Sequence, residues 1–215
     1  MIQRVYEQCL LAESLSDIWV ATDDNHIFRE VKNFGGHVLM TSKKHKNGTS
    51  RCLEAMEKID TEFDFIVNIQ GDEPLVHPEQ INRLLEMFRI KHVHIATLAK
   101  KITDSAELND PGIVKVIMDK EGKAITFLRT LSNLNNPPYF KHIGMYGYTQ
   151  KILRQINHLK PTKREKENSL EQLRWMDYGF DIYVSETNYD TVSVDVPDDI
   201  EKVLKIIKKD KPDDT

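Results

Sequence analysis

Cysteine is scarce in this 215-residue chain, and so are long apolar runs, an excess of positive charge and glycine-rich loops. The two cysteines, Cys9 and Cys52, lie far apart and form no metal-type spacing. Both read as small buried hydrophobes in a reducing compartment, with a bridge between them left open by sequence. No segment approaches the ~18 apolar residues that a membrane span needs. The opening Met1-Ile2-Gln3-Arg4-Val5-Tyr6 has neither the apolar stretch nor the cleavage site of a secretory signal. A formal charge of −4 argues against a general nucleic-acid binder, which is usually basic. There is no internal repeat and no low-complexity tract. These absences predict a cytoplasmic protein with neither membrane nor nucleic acid as partner.

With 40% hydrophobic and 30% charged residues the chain is an ordinary folded protein, long enough to bury a sizeable core. Ile2, Val5, Tyr6, Cys9 and Leu10 recur at helical spacing and open the chain on an amphipathic helix. Ile18–Ala21 and His37–Met40 read as short buried strands, separated by a helix that Asp23 or Asp24 can cap and that ends at Gly35-Gly36. A helix over Thr49–Ile59 follows. Phe65-Ile66-Val67-Asn68-Ile69 has the nearly continuous apolar character of a strand buried on both faces. A helix starting at Pro78 and a strand over His94–Ala99 complete an alternation that predicts an α/β fold with a mostly parallel sheet between helices. Beyond residue 100 the pattern changes. Val114–Met118 and Ala124–Leu128 flank the turn Asp119-Lys120-Glu121-Gly122, which predicts a hairpin, and His142–Tyr148 reads as a further strand. Helices over Glu165–Tyr178 and Pro197–Lys208 bracket two strands, Asp181–Ser185 and Thr191–Val194. No linker divides the chain, so residues 1–215 are expected to form one domain, with an antiparallel subdomain at roughly 100–150. A doubly wound sheet normally begins with a strand, and this chain begins on a helix and lacks the usual phosphate-holding glycine loop. Either the nucleotide is gripped elsewhere or the front of the domain is absent.

The strongest local feature is Gln70-Gly71-Asp72-Glu73-Pro74, directly after the most apolar strand. Ligands of open α/β sheets bind beyond the carboxyl ends of strands. Asp72 is thus presented where one carboxylate can hold Mg²⁺ while substrate phosphates supply other ligands; the alternative is a turn whose acids cap the next helix. Asp195 stands similarly at the end of Thr191–Val194, as a second metal carboxylate or a plain helix cap beside Pro197. Asp198 and Asp199 suit that helix's dipole. Gly48-Thr49-Ser50-Arg51, after Lys46-Asn47, offers helix-terminal N–H groups, hydroxyls and an arginine to a nucleotide, or is ordinary N-cap chemistry. In Lys141–Tyr148 the glycines permit close approach, and alternation puts His142, Gly144, Tyr146 and Tyr148 on one face. His142 is a ligand contact or a buried, satisfied histidine. Glu171, Gln172 and Arg174 form a solvated helix face or part of a site, and Arg129 is a carboxylate clamp or a surface residue.

In their order these segments resemble the 3-deoxy-manno-octulosonate (Kdo) cytidylyltransferases along almost the whole chain. The resemblance is carried by Val20–Asp23, Gly48–Arg51, Val67–Pro74, Ala96-Thr97-Leu98, Lys141–Tyr148, Ser169–Arg174 and Val194–Glu201. It implies a Rossmann-like nucleotidyltransferase three-layer sandwich with a small antiparallel dimerisation subdomain. It also implies transfer of CMP from CTP to Kdo with release of pyrophosphate, for lipopolysaccharide assembly. By resemblance Asp72 and Asp195 are catalytic and hold Mg²⁺ against the triphosphate. Thr49 and Arg51 fall at the nucleotide end. Gln70, Arg129, His142, Tyr146, Glu171 and Gln172 surround the sugar acid, Arg129 pairing with its carboxylate. The family is a homodimer joined through the smaller subdomain.

Four departures accompany the resemblance. The family opens with a strand and an Ile-Pro-Ala-Arg…Pro-Gly-Lys-Pro loop around the triphosphate, and this chain starts after them. That predicts an exposed sheet interior and impaired catalysis. Ser50 replaces the family's acid in Gly-Thr-Glu/Asp-Arg. The stretch from Arg129 to His142 is short and reads Thr130-Leu131-Ser132-Asn133. Asp-Thr-Pro has become Asp195-Val196-Pro197. A non-catalytic remnant that keeps sugar-acid binding or dimerisation, and a CMP-sialate synthetase-like enzyme, are the competing readings.

Overall fold

The computed structural model describes residues 1–59, 61–90, 92–131 and 138–209. Helix α1 (Ile2–Leu10) buries Val5, Tyr6 and Cys9 on one stripe. Strand β1 (Val20–Thr22) leads to α2 (Asn25–Asn33), where Asp24 rather than Asp23 is the cap, its carboxylate accepting from the His26 and Ile27 amides at 2.6 and 3.1 Å. The helix stops where Gly35 takes φ +79°, a conformation cheap for glycine. Strand β2 (Val38–Met40), α3 (Gly48–Ile59), β3 (Phe65–Asn68) and α4 (Pro78–Glu86) follow. A 3-10 turn (Met87–Arg89) then leads to β4 (Ile95–Lys101) and α5 (Ser105–Asn109). The remaining elements are β5 (Lys115–Met118), β6 (Ala124–Leu128), β7 (Phe140–Thr149), α6 (Gln150–Asn157), α7 (Lys163–Asn168), α8 (Glu171–Asp177), β8 (Tyr183–Glu186) and α9 (Pro197–Lys209).

Alternation along β4 shows how the layers form. Ile95 and Ala99 join a core with Met56 of α3, Leu153 and Ile156 of α6 and Trp175 of α8. Ala96 and Leu98, on the other face of the strand, join Val5 and Cys9 of α1 with Ile81 and Leu84 of α4. One sheet with a separate core on each face is the three-layer sandwich.

The sheet is mixed rather than mostly parallel. Strand order is β6-β5-β7-β4-β8, with β3 also on β7, and β1 pairs with β2 apart from this sheet. β7 runs antiparallel to β3, β4 and β5, whereas β4–β8 and β1–β2 are parallel. The reason lies in the expected hairpin, which the structure forms over 115–128, with Gly122 at φ +80° in its turn. The chain re-enters the sheet from that side and threads β7 between β3 and β4. Where β7 crosses beneath the 3-10 turn, a Cβ on Gly147 would lie 2.7 Å from Phe88 Cε2. Gly147→Ala is therefore expected to cost ~1–3 kcal/mol by overpacking, read from the urea midpoint.

Three expected elements differ. β3 is not buried on both faces: Phe65 is 39% exposed and Ile66–Asn68 are half-buried, because among the described residues β3 is paired only on its β7 side. The helix predicted over Glu165–Tyr178 is two helices, broken at Ser169, which takes φ +51°. Thr191–Val194 forms no ladder among the described residues, yet the Val194 amide donates to the Asp72 carbonyl at 2.9 Å. A cavity of about 770 Å³ is lined by Ala21 of β1 and by Val67 of β3, among others. Ser132 and Asn133, part of the shortened stretch after Arg129, and residues 210–215 lie outside the described residues.

Candidate active site

The loop after β3 is pinned from two sides. Arg4 of α1 donates through Nε to the Pro74 carbonyl at 2.8 Å, and the Val194 bond brings the Asp195 segment against Asp72. Asp195 accepts from Ser193 Oγ at 2.8 Å and is exposed. Glu73, the residue after Asp72, is only 9% exposed. Burial, then the charge of Asp72, push its carboxyl up to about 7; Asp195 adds to the rise and Lys141 opposes it. Sequence named Glu73 as a loop residue but gave no sign of its burial; Gly144 of β7 is its neighbour, where a Cβ would make ordinary contact with Glu73 Oε1 at 3.7 Å. A buried acid held near neutrality beside two carboxylates is an excess of negative potential, the field a bound cation relieves.

A second group forms where α3 starts. Glu171, the first residue of α8, accepts from Asn47 Nδ2 at 2.7 Å and Thr49 Oγ1 at 2.8 Å, and it is paired with Arg174. Burial raises the Glu171 carboxyl, while Thr49 and Arg174 pull it down. Glu171, Gln172 and Arg174 are thus not a solvated face; Gln172 and Arg174 are buried. Arg51 is held by Thr41 Oγ1 at 2.6 Å and by Asp23 at 3.4 Å. Gly48 packs on the β3 exit, where a Cβ would sit 2.9 Å from Gln70 Nε2 and 3.0 Å from Asn68 Nδ2. That contact joins the Thr49 group to the Gln70 loop. Sequence reasoning missed what supports this turn: His45 bridges Ser50, at 3.1 Å, and Glu54. Glu54, bonded by Lys58, the Ser42 amide and His45, is held down at about 2. A histidine five residues before a helix serine and nine before its glutamate was the available signal.

The β7 face matches expectation. A register shift opposite Thr97/Leu98 keeps parity, so His142, Tyr146 and Tyr148 line up opposite Ala99, Thr97 and Ile95. Rings of His142 and Tyr146 lie 5.3 Å apart, and Trp175 meets Tyr146 edge-on at 5.1 Å. His142 Nε2 is 2.9 Å from Thr97 Oγ1, whose single hydrogen serves the Met145 or Ile143 carbonyl at 2.8 and 3.1 Å. The imidazole is therefore the Nε2–H donor, and burial pushes its pKa down to about 3. Tyr146 Oη and Trp175 Nε1 are buried without a hydrogen-bond partner among the described residues, an expensive state that a polar ligand would relieve. Arg129 Nε donates to the Asn168 carbonyl at 3.0 Å, and its two terminal nitrogens reach Pro111 and Ser169 carbonyls only at 3.4 Å.

The structure thus gathers Asp72 with Asp195, Thr49 with Glu171, and His142 with Tyr146. Arg129 is set beside the Ser169 break that starts α8. A cavity of about 770 Å³ reaches Gln70 and Arg51 but is not lined by the aspartates, Tyr146 or Glu171.

Comparison with known proteins shows which family the chain belongs to. A family described as cytidylyltransferase matches residues 1–186. The chain belongs to the cytidylyltransferase family. It is similar to a 3-deoxy-manno-octulosonate cytidylyltransferase of Cytophaga hutchinsonii, 44% identical over 94% of this chain and 85% of the relative. One from Fusobacterium nucleatum is also 44% identical, over 97% of this chain and 86% of its own. Among solved structures, a CMP:2-keto-3-deoxy-manno-octonic acid synthetase complexed with CTP superposes with TM-score 0.91 at 36% identity, covering 98% of this chain and 88% of that one. This cytidylyltransferase carries no helix, among its described residues, long and apolar enough to cross a membrane.

Proposed function

We propose that this chain transfers the cytidylyl group of CTP to the anomeric hydroxyl of Kdo, releasing pyrophosphate. The observation that carries the reading is the Val194–Asp72 backbone bond, which sets the Asp195 segment against the Asp72 loop, with the buried Glu73 carboxyl raised by both aspartates. The similarity to a solved CMP-Kdo synthetase with CTP supplies the substrates.

The donor set fits a hard divalent cation such as Mg²⁺. Two carboxylates meet an excess of negative potential, and no group of three candidate ligands converges among the described residues. Protein would thus contribute one or two oxygens and the triphosphate the rest. Bound there, Mg²⁺ would supply charge neutralisation on the α-phosphate and the leaving pyrophosphate. Thr49 and Arg51 lie at the nucleotide end, where Asp23 and Thr41 fix the guanidinium plane. At the sugar end, Tyr146 offers its unpartnered hydroxyl, and Arg129 can turn its two loosely held nitrogens to the sugar carboxylate. His142, neutral at working pH, positions through hydrogen bonding and is not a base. Gln70 sits between the two ends; Gln172 and Glu171 shape the pocket wall. We also propose a homodimer formed along the β6 edge, where Ile125 is 58% exposed, and a cytoplasmic location.

A substrate panel tests the acceptor. Kdo should be preferred over a nine-carbon sialic acid by ~10²-fold or more in kcat/KM, since a site built on specific hydrogen bonds rejects poorly matched partners. Equal or reversed preference overturns the choice of acceptor and favours the sialate reading.

A further inference from the structure

Residues 187–194, the strap between β8 and Asp195, form no ladder among the described residues. The strap is nonetheless tied to the sheet. The Thr187 amide donates to the Ala99 carbonyl at 2.9 Å, and the Asp190 carboxylate is gripped by Lys141 at 2.7 Å and by Lys100 at 3.0 Å. These bonds hold the strap on β4 and β7 without setting it against the loop that carries Asp72. Contacts at its two ends do that. At one end the Val194 amide donates to the Asp72 carbonyl at 2.9 Å. At the other the Tyr189 ring lies flat on the His77 imidazole, with centroids 3.7 Å apart and planes 10° from parallel. His77 stands where the Asp72 loop ends and α4 begins, and its ring accepts from the Glu79 amide at 3.2 Å as the helix cap. Buried Gln80 backs the stack from within. Its Oε1 accepts from the His77 amide at 3.0 Å, and its Nε2 donates to the Tyr189 carbonyl at 3.3 Å.

Capping does not require a ring at position 77, because serine, threonine, aspartate and asparagine are the preferred caps. Burial does not explain the pair either, since Tyr189 is 41% exposed. What two flat rings supply is control of tilt, which one backbone hydrogen bond at Val194 leaves free. We propose that His77 and Tyr189, braced by Gln80, form a clamp that sets the Asp195 carboxylate against Asp72 so that the two share one divalent cation. Both rings are positioning residues that act through the aspartates. Supporting groups of this kind are worth ~10–100-fold in metal affinity or activity. The inference rests on the reading of Asp72 and Asp195 as metal carboxylates, and it adds the residues that hold them in register.

The test titrates Mn²⁺, as the probe ion, into the full chain without nucleotide and follows the electron paramagnetic resonance signal of the free ion. Asp72→Asn is the reference and should abolish saturable binding. Tyr189→Ala removes the stack at an exposed position, and His77→Asn removes it while keeping a good helix cap. Each should weaken Mn²⁺ binding by about tenfold. The double variant should lose about the same factor as either single one, because both remove one shared contact. Tyr189→Phe keeps the stack and should bind like the parent. In turnover, Tyr189→Ala should raise the Mg²⁺ concentration needed for half-maximal rate more than it lowers kcat at saturating Mg²⁺. Unchanged Mn²⁺ affinity in Tyr189→Ala and His77→Asn, with Asp72→Asn still losing it, overturns the clamp and leaves the metal reading standing. An equal loss in Tyr189→Phe, or a double variant that loses the product of the two single factors, also overturns the clamp. Mn²⁺ binding that survives Asp72→Asn overturns the metal reading itself, and the clamp with it.

Discussion

Asp72→Asn should lower kcat/KM for cytidylyl transfer by roughly 10²–10³-fold or more, the scale of losing one preorganised charge-stabilising contact. The amide keeps the size and the turn but not the charge that attracts a divalent ion. Stability should move the other way. With Asp72 neutral, one of the two aspartate charges raising Glu73 is gone, so the metal-free variant should melt at or slightly above the parent. The diagnostic pair is therefore lost turnover with retained or improved melting temperature, together with loss of the Mg²⁺-dependent rise in melting temperature that the parent should show. Turnover within about threefold of the parent would remove Asp72 from the catalytic machinery.

Glu73 carries the largest expected effect of pH. Its carboxyl stands at about 7 in the folded protein against an ordinary 4.5. A carboxyl raised on folding favours the folded state only while protonated. Its contribution is intact below about pH 4.5 and is lost as the pH climbs through 7. The displacement corresponds to a penalty on the order of 3 kcal/mol at pH 8 in the absence of metal. Glu73→Gln, which mimics the neutral acid, should therefore leave the melting temperature almost unchanged near pH 5 and raise it by several degrees at pH 8. Saturating Mg²⁺ should shrink the pH 8 difference, because a cation between Asp72 and Asp195 offsets the repulsion felt by Glu73. A Glu73→Gln effect of equal size at both pH values would contradict this account of the loop.

How much of this was legible in the sequence follows from which physics each feature depends on. Helix caps and hairpin turns are local, and Asp24, Gly35 and Asp119–Gly122 behave as their residue types dictate. The alternation that lines up His142 and Tyr146 is local too, and it survives a register shift because two residues are inserted. Strand direction is not local: β7 reads like any apolar strand, and only the return path from the hairpin makes it antiparallel. Likewise the apolar run at β3 reads as doubly buried, but its exposure depends on what occupies its far edge. Within the site, the acids at strand ends could be picked out as Asp72 and Asp195. What pattern could not show was pairing at long range. For Glu171 the pattern left a solvated helix face and a site residue both open, and the bonds from Asn47 and Thr49, over 120 residues earlier, are what turn it inward. Glu73 was named only as a member of the loop, and its burial to 9% exposure comes from packing that no local pattern carries.

The central claim is that Asp72 and Asp195 organise cytidylyl transfer to a 2-keto-3-deoxy sugar acid. The most direct measurement is pyrophosphate release from CTP, Kdo and Mg²⁺, followed beside the Asp72→Asn/Asp195→Asn double variant. The account predicts pyrophosphate and CMP-Kdo formed one to one, dependent on Kdo and abolished by chelation. Release no faster than that of the double variant, or pyrophosphate formed without Kdo, would contradict it.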